Sequence, residues 1–317
     1  MTAAVYLLVY SAAMCIAAPR VLPRMTAGGS APGAAVAAWI VVLGSVLAAW
    51  VGAAAALTLD SIYGSDAPHL LQTCFAVLRS TATGHHGLAM QVGLVTFTVL
   101  ICALVIGLAV TVGRTLLLGR ARSRRHARAA RIVGHRIAGI DGLVLDAPQK
   151  MAYCLAGRPG TVVITSAAIA ALDRQHLDAV LAHEQAHLAG RHHLLLAMTR
   201  ALAASMPRIK LFGVAQEEVS RLLEMCADDA AVRRHGSATL VTAILALAGA
   251  ESIPSVALGA STVGVCARVT RLSALDIPAD RMRARMQLGL VGLTVLVGPM
   301  LTWAALHVLA ACGPFTA

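Results

Sequence analysis

The sequence predicts a mainly α-helical membrane protein in which four transmembrane helices carry a cytoplasmic α+β domain, and three observations lead there. Of 317 residues, 58% are hydrophobic and only 13% are charged, which is too apolar for an ordinary soluble domain of that length. Apolar runs approaching the roughly 20 residues needed to cross a hydrocarbon core of about 30 Å recur along the chain. The net charge of +11 is almost all arginine, with Lys150 and Lys210 as the lysines, and it is concentrated after one of those runs.

The apolar runs are Val5 to Ala18, which is short unless Met1 to Ala4 extend it, then Ala34 to Leu59, Leu88 to Val112 and Leu288 to Ala311. PRVLPRMTAGGSAPG reads as a loop between the first two. The loop from Asp60 to Gly87 carries His69, His85 and His86. Adjacent histidines do not face one another on a helix, so a solvated loop is expected there in preference to a metal or pH-sensing site.

Arg114, Arg120, Arg122, Arg124, Arg125, Arg128, Arg131 and Arg136 follow the third run with no acidic residue among them. Arg20 and Arg24 lie between the first two runs, and Arg281, Arg283 and Arg285 precede the last. The positive-inside rule makes these segments cytoplasmic and leaves both termini external, in a multi-pass protein of the inner or plasma membrane. A cleaved signal peptide at residues 1 to 18 would export the arginine run, and no basic residue precedes the apolar stretch. Beside a membrane span the run is expected to contact anionic lipid headgroups rather than nucleic acid. The cysteines Cys15, Cys74, Cys102, Cys154, Cys226, Cys266 and Cys312 are scattered, with neither a disulfide framework nor CxxC spacing. Three domains follow: 1–119 with three spans, 120–285 cytoplasmic, and 286–317 with the fourth span and a short external tail.

In the cytoplasmic part, Arg120 to Arg136 is expected to run on as an exposed helix. AYCLA (Ala152 to Ala156) and TVVIT (Thr161 to Thr165) are β-favouring runs around Gly157, Arg158, Pro159 and Gly160, and read as a hairpin. Its edge either binds an extended peptide through main-chain hydrogen bonds or merely covers the helical core. Ser166 and Asp173 read as turn or cap residues leading into helices. Leu194 to Met206, ended by Pro207, and Ser237 to Ala250 are helices too short to span. Another helix runs from about Val214 to His235 and stops at Gly236. Ile253 to Gly264 is small-residue rich and reads as loop.

The chemistry is concentrated in LDAVLAHEQAHLAGRHH, Leu177 to His193. At 3.6 residues per turn, His183 and His187 project from one helix face, so both imidazoles can reach a single cation. Glu184 sits about 100° round the helix, placed to take a proton from a water activated by the metal without being a ligand. A surface helix can spell HExxH by accident. A second helical stretch, AQEEVSRLLEMCADDAAVRRHG, argues against accident. Catalytic zinc takes three protein ligands and leaves one position open, and Glu224 supplies a third donor. Asp228, one turn on, can accept a hydrogen bond from the far nitrogen of a ligand histidine.

AYCLAGRPGTVVITSAAIAALDRQHLDAVLAHEQAHLAGRHH followed by EMCADD resembles the gluzincin membrane metallopeptidases, in both the HtpX and prenyl-protein-processing group and the BlaR/MecR group. The resemblance spans roughly Arg120 to Gly236. The short gap from His187 to Glu224 and the order of spans look like BlaR/MecR. That likeness implies a zinc-dependent endopeptidase with His183, His187 and Glu224 as zinc ligands, Glu184 as general base and Asp228 behind the ligands. It also implies signal transduction in an antibiotic response, by cleavage of a BlaI-like cytoplasmic repressor. The sequence ends at Ala317, a few residues past the last run, so the resembled family's penicillin-binding sensor is expected to be missing. The HtpX likeness implies quality control of damaged membrane proteins, and a non-catalytic signalling scaffold is the reading in which Glu184 has no use. His192, His193, Arg221, Arg233 and His235 are the candidates for stabilising an oxyanion.

Overall fold

A computed structural model describes residues 2–63, 88–155, 157, 160–249, 260–274 and 278–311. The chain opens with helix α1 (Thr2–Thr26) and helix α2 (Pro32–Tyr63), packed together across a tight turn closed by Gly29 N–H donating to Thr26 O at 3.0 Å. Helix α1 therefore runs through Pro19 and Pro23, in place of the expected loop. Each proline removes one backbone donor, but Leu22 and Thr26 in the same stretch are buried, and that packing keeps the helix going to Thr26. Ala4–Thr26 and Pro32–Ala56 are long and apolar enough to cross a membrane.

Helix α3 (Leu88–Val133) joins the third apolar run to the arginine run without a break. Its 46 residues are about 69 Å long, well beyond a bilayer core. Helix α10 (Pro278–Ala311) contains the last apolar run. Residues 64–87, with His69, His85 and His86, lie outside the described residues, as do Arg158, Pro159 and the tail after Ala311.

Between these helices a three-stranded sheet forms from β1 (Leu143–Leu145), β2 (Ala152–Leu155) and β3 (Thr161–Thr165), in the order β1-β3-β2. The expected hairpin is β2 antiparallel to β3, with Ala152 opposite Ile164 and Leu155 opposite Thr161. Strand β1 adds a parallel partner on the other side of β3. Two faces of β3 are buried, which is why TVVIT is apolar throughout its middle. Val162 and Ile164 face Leu177, Val180 and Leu181, while Val163 faces Ala127 and Ala130 of α3.

Helices α4 (Ser166–Ala171), α5 (Arg174–Ala189), α6 (His192–Ser205), α7 (Lys210–His235), α8 (Ser237–Ala248) and α9 (Ala260–Ser273) complete the fold. Thr165, rather than Ser166, caps α4, its side chain accepting from Ala168 N–H. Asp173 caps α5, accepting from His176 N–H at 2.8 Å. Residues 250–259 lie outside the described residues, and α9 begins at Ala260, inside the stretch expected as loop up to Gly264; Val265, Val269 and Leu272, at helical spacing, pack with Leu240 and Ile244 of α8 and hold it. The largest core joins the N-terminal helices to α7: Trp39, Val42 and Val46 of α2 pack with Leu211, Phe212, Ala215, Val219 and Leu222. The helix that carries Glu224 is thus seated on the apolar helical layer.

Candidate metal centre

Two helices face each other across the site. On α5, Leu177, Val180 and Leu181 anchor one side to the sheet, which turns His183, Glu184 and His187 towards α7. On α7, Val219, Leu222 and Leu223 lie in the core, and Glu224 and Asp228 emerge one turn apart on the flank that meets α5.

His183 Nε2 and His187 Nε2 lie 3.2 Å apart. Glu224 Oε2 is 3.6 Å from the first and Glu224 Oε1 is 3.5 Å from the second. Metal–ligand bonds of about 2.0–2.1 Å at tetrahedral angles separate donor atoms by about 3.3 Å. The three side chains therefore offer two imidazole nitrogens and a carboxylate at the edges of a zinc-sized tetrahedron, and the donor set fits the ion. Among the described residues they are the group of His, Cys, Asp and Glu side chains whose ligand atoms converge, within 4.8 Å of one another.

The second ring nitrogen of each histidine is also engaged. His183 Nδ1 lies 3.1 Å from Asp228 Oδ1. The N–H vector is not aimed at that oxygen, so the contact is a charge pairing at hydrogen-bond distance. His187 Nδ1 lies 2.9 Å from His192 Nδ1. A ligand histidine bound through Nε2 carries its proton on Nδ1, so His192 accepts and holds that tautomer. The close approach of His192 depends on Gly190, where a Cβ would run into the His192 ring.

The electrostatics separate two histidines that sit four residues apart. Burial pulls the His183 pKa down, but the close carboxylates of Asp228 and Glu224 overcome it and raise it to about 9. Burial lowers His187 to about 4, with only Glu224 opposing. Burial also raises Glu184 to about 7, in the range suited to a proton acceptor near neutrality. For Glu224, burial pushes up but is outweighed by the close contact with His183 and the charges of His187, His183 and Arg268, and the net shift is downward. Cys154 on β2 lies beside Glu184, and burial pushes its thiol up to about 12, so it stays a neutral neighbour of the carboxylate.

Of the oxyanion candidates, His192 is taken up behind His187. Arg221 instead donates to Glu218 Oε2 at 2.7 Å and to Thr26 O at 3.2 Å. Arg233 and His235 stand about 13 and 16 Å along α7 from Glu224, at about 1.5 Å per residue. His193 lines a cavity of about 800 Å³ that none of the metal-site side chains enters, with Arg120, Arg124, Arg191 and Arg200 on its walls.

One residue of the site was not anticipated. Arg268, on α9, forks onto Asp228 through Nε (2.8 Å to Oδ2) and an NH2 group (2.5 Å to Oδ1), and its other amino group lies 3.3 Å from Glu224 Oε2. No local pattern signals it, because its partners lie 40 or more residues away.

A search of curated proteins and a search of solved structures each returned no match. Residues 124–251 match the family model described as Peptidase family M48. That segment contains the α5 motif and the α7 acidic pair, and M48 peptidases are metal-dependent, generally on zinc. The match supports a metallopeptidase domain over residues 124–251, about two fifths of the chain.

Proposed function

We propose that this chain is an integral membrane, zinc-dependent endopeptidase whose site opens to the cytoplasm close to the bilayer. The observation that carries the chemistry is the convergence of two imidazole nitrogens 3.2 Å apart on one carboxylate, whose two oxygens lie 3.6 and 3.5 Å from them, with the half-buried Glu184 beside them. A zinc ion held by His183, His187 and Glu224 would acidify water and polarise a carbonyl. Glu184 accepts the proton of the attacking water and delivers it to the leaving amine nitrogen. His192 fixes the tautomer of His187, and Asp228 sets the ring of His183.

The membrane reading rests on what the helices leave uncovered. Leu8, Val9 and Ile16 on α1, Leu100 and Ile106 on α3, and Leu290, Leu293, Leu296 and Met300 on α10 are large apolar side chains facing outward. Rows of this kind suit acyl chains and are costly in water. With the four apolar helices as spans, the arginines at the far end of α3 and around the cavity of about 800 Å³ face an anionic leaflet. The catalytic helices then sit on the inner side.

The substrate is an extended stretch of protein. Strand β2 lies at the edge of the sheet with Cys154 against Glu184, so a peptide paired along that edge would pass the proton acceptor. A cytoplasmic repressor is the substrate favoured by the span order, and main-chain pairing on β2 favours the broader reading, cleavage of unfolded membrane proteins. The purified chain is expected to hold about one zinc, from the ligand count, and Glu184→Gln to keep the metal while cleavage falls by about 10²–10⁴-fold. Undiminished proteolysis in that variant would reject the assigned base. A scaffold without activity would show zinc binding and no turnover on either a repressor or an unfolded protein. Comparing those two substrates also separates a dedicated signalling protease, cutting one site, from a quality-control protease, cutting many.

A further inference from the structure

We infer that Arg268 is a positioning residue of the metal centre, supplied by α9 from beyond the segment that matches the peptidase family. The inference rests on the proposed zinc site and concerns how its third ligand is held.

Asp228 is completely buried, and a buried carboxylate needs a partner that matches its two oxygens. The guanidinium of Arg268 does so in a fork, Nε to Oδ2 and NH2 to Oδ1, the geometry arginine offers and lysine does not. The remaining amino group of the same guanidinium reaches Glu224 Oε2 at 3.3 Å. That leaves Glu224 Oε1 towards His187. Arg268 therefore ties two carboxylates, one turn apart on α7, into a single rigid unit and selects the rotation of the Glu224 carboxylate relative to the imidazole pair.

Charge points the same way. Glu184, Glu224 and Asp228 place three carboxylates around two histidines, and Arg268 is a cation in direct contact with two of those carboxylates. Metal ligation requires neutral imidazoles; in that state, with the three carboxylates ionised, three negative charges against one guanidinium leave a net of −2, which a divalent ion neutralises. A further positive charge would oppose the ion, and without Arg268 the acidic pair on α7 would repel itself and lose its fixed orientation. Side chains behind metal ligands typically change metal affinity or activity by about 10–100-fold when removed.

Arg271, one turn further along α9, provides the control. It donates to Asp229 Oδ1 at 2.6 Å and to Gly29 O at 3.0 Å, anchoring the same helix without touching the metal-binding side chains. The test is a competitive zinc titration of the full chain in detergent, with wild type, Arg268→Ala, Arg268→Lys and Arg271→Ala, each checked by its helical circular dichroism and thermal midpoint. Arg268→Ala is expected to weaken zinc binding by about 10–100-fold. Arg268→Lys restores part of that loss, because it returns the charge without the fork. Arg271→Ala holds zinc nearly as wild type does. Raising the zinc concentration should recover kcat in Arg268→Ala, which a residue that contacted the substrate would not allow.

Wild-type zinc affinity in Arg268→Ala would overturn the inference, and so would equal losses in the Arg268 and Arg271 variants, which would assign the effect to the docking of α9 as a whole. Should Arg268→Ala fail to fold, the Arg268→Lys titration decides alone: affinity equal to wild type overturns the fork. A wild-type chain that binds no zinc would reject the metal site itself, an outcome distinct from either.

Discussion

Helices α5 and α9 both serve the same cluster, yet only one shows it in its residues. Helix α5 carries His183, Glu184 and His187 within a single turn of backbone, where 3.6-residue periodicity alone decides which side chains converge. Helix α9 carries Arg268 amid ASTVGVCARVTRLS, a stretch of small and apolar residues with two arginines. Its meaning arises only when Asp228, 40 positions earlier, is brought opposite. Local geometry defines the donors, and tertiary packing defines what holds them.

The sharpest way to break that contrast is to cut the link between the two. Asp228→Asn removes one charge from a fully buried pair and leaves Arg268 facing a neutral amide. Losing one member of a buried ion pair costs about 3–5 kcal/mol. The thermal midpoint in detergent should fall by several degrees and zinc affinity should fall with it. If the midpoint is unchanged, Asp228 and Arg268 are not the support they are taken to be, and α5 with Glu224 would suffice alone.

The same division accounts for what was legible in the sequence. The HExxH spacing, the Glu224 and Asp228 pair and the β2–β3 hairpin depend on contacts within one helix or across one turn, and each forms. The α1 boundary departs from expectation, because Pro19 and Pro23 resemble loop punctuation and only burial of Leu22 and Thr26 explains the continuing helix. Strand β1 is three residues of LVL, too short to be told from any apolar run until Leu143 pairs with Val163. The beginning of α9 resembles loop for want of large side chains. His192 illustrates how adjacency to a motif leaves the direction of a side chain open. The turn at Gly190, followed by Arg191 at a φ of 51°, swings it against His187.

Acidity tests the α5 side by itself. Burial raises Glu184 to about 7 from an ordinary 4.5. A carboxyl with a folded pKa above its unfolded value contributes stability that is present below about 4.5 and is lost as pH rises through about 7. Chelator-treated wild type is therefore expected to lose thermal midpoint, relative to Glu184→Gln, between pH 5 and 7.5. Asp228, held below its ordinary value because the His183 and Arg268 contacts outweigh its burial, acts in the opposite direction: its contribution is lost only as pH falls below the ordinary carboxylate range. With zinc present, cleavage should rise about tenfold per pH unit on the acid side, as Glu184 ionises, and that limb should lie below 7 because a nearby cation favours the charged carboxylate. Parallel midpoint curves for the two proteins would mean that Glu184 is not desolvated.

The smallest effect probes the far end of α9. Gly29 turns the chain between α1 and α2 at a φ of +62°, and a Cβ there would stand 2.6 Å from Met225 Sδ and 2.9 Å from Arg271 Nε. Gly29→Ala meets a left-handed backbone penalty of about 1–2 kcal/mol and pushes on the side chain that ties α9 to the turn. Thioether and guanidinium are both flexible enough to yield, so the fold should survive with a lower thermal midpoint. Zinc affinity should change by no more than a few-fold, since Arg268 retains its own grip on Asp228. A loss as deep as that of Arg268→Ala would mean that the turn between α1 and α2 governs the metal centre through α9. The distinction between anchoring and positioning along that helix would then collapse, and the N-terminal hairpin would become part of the site's control.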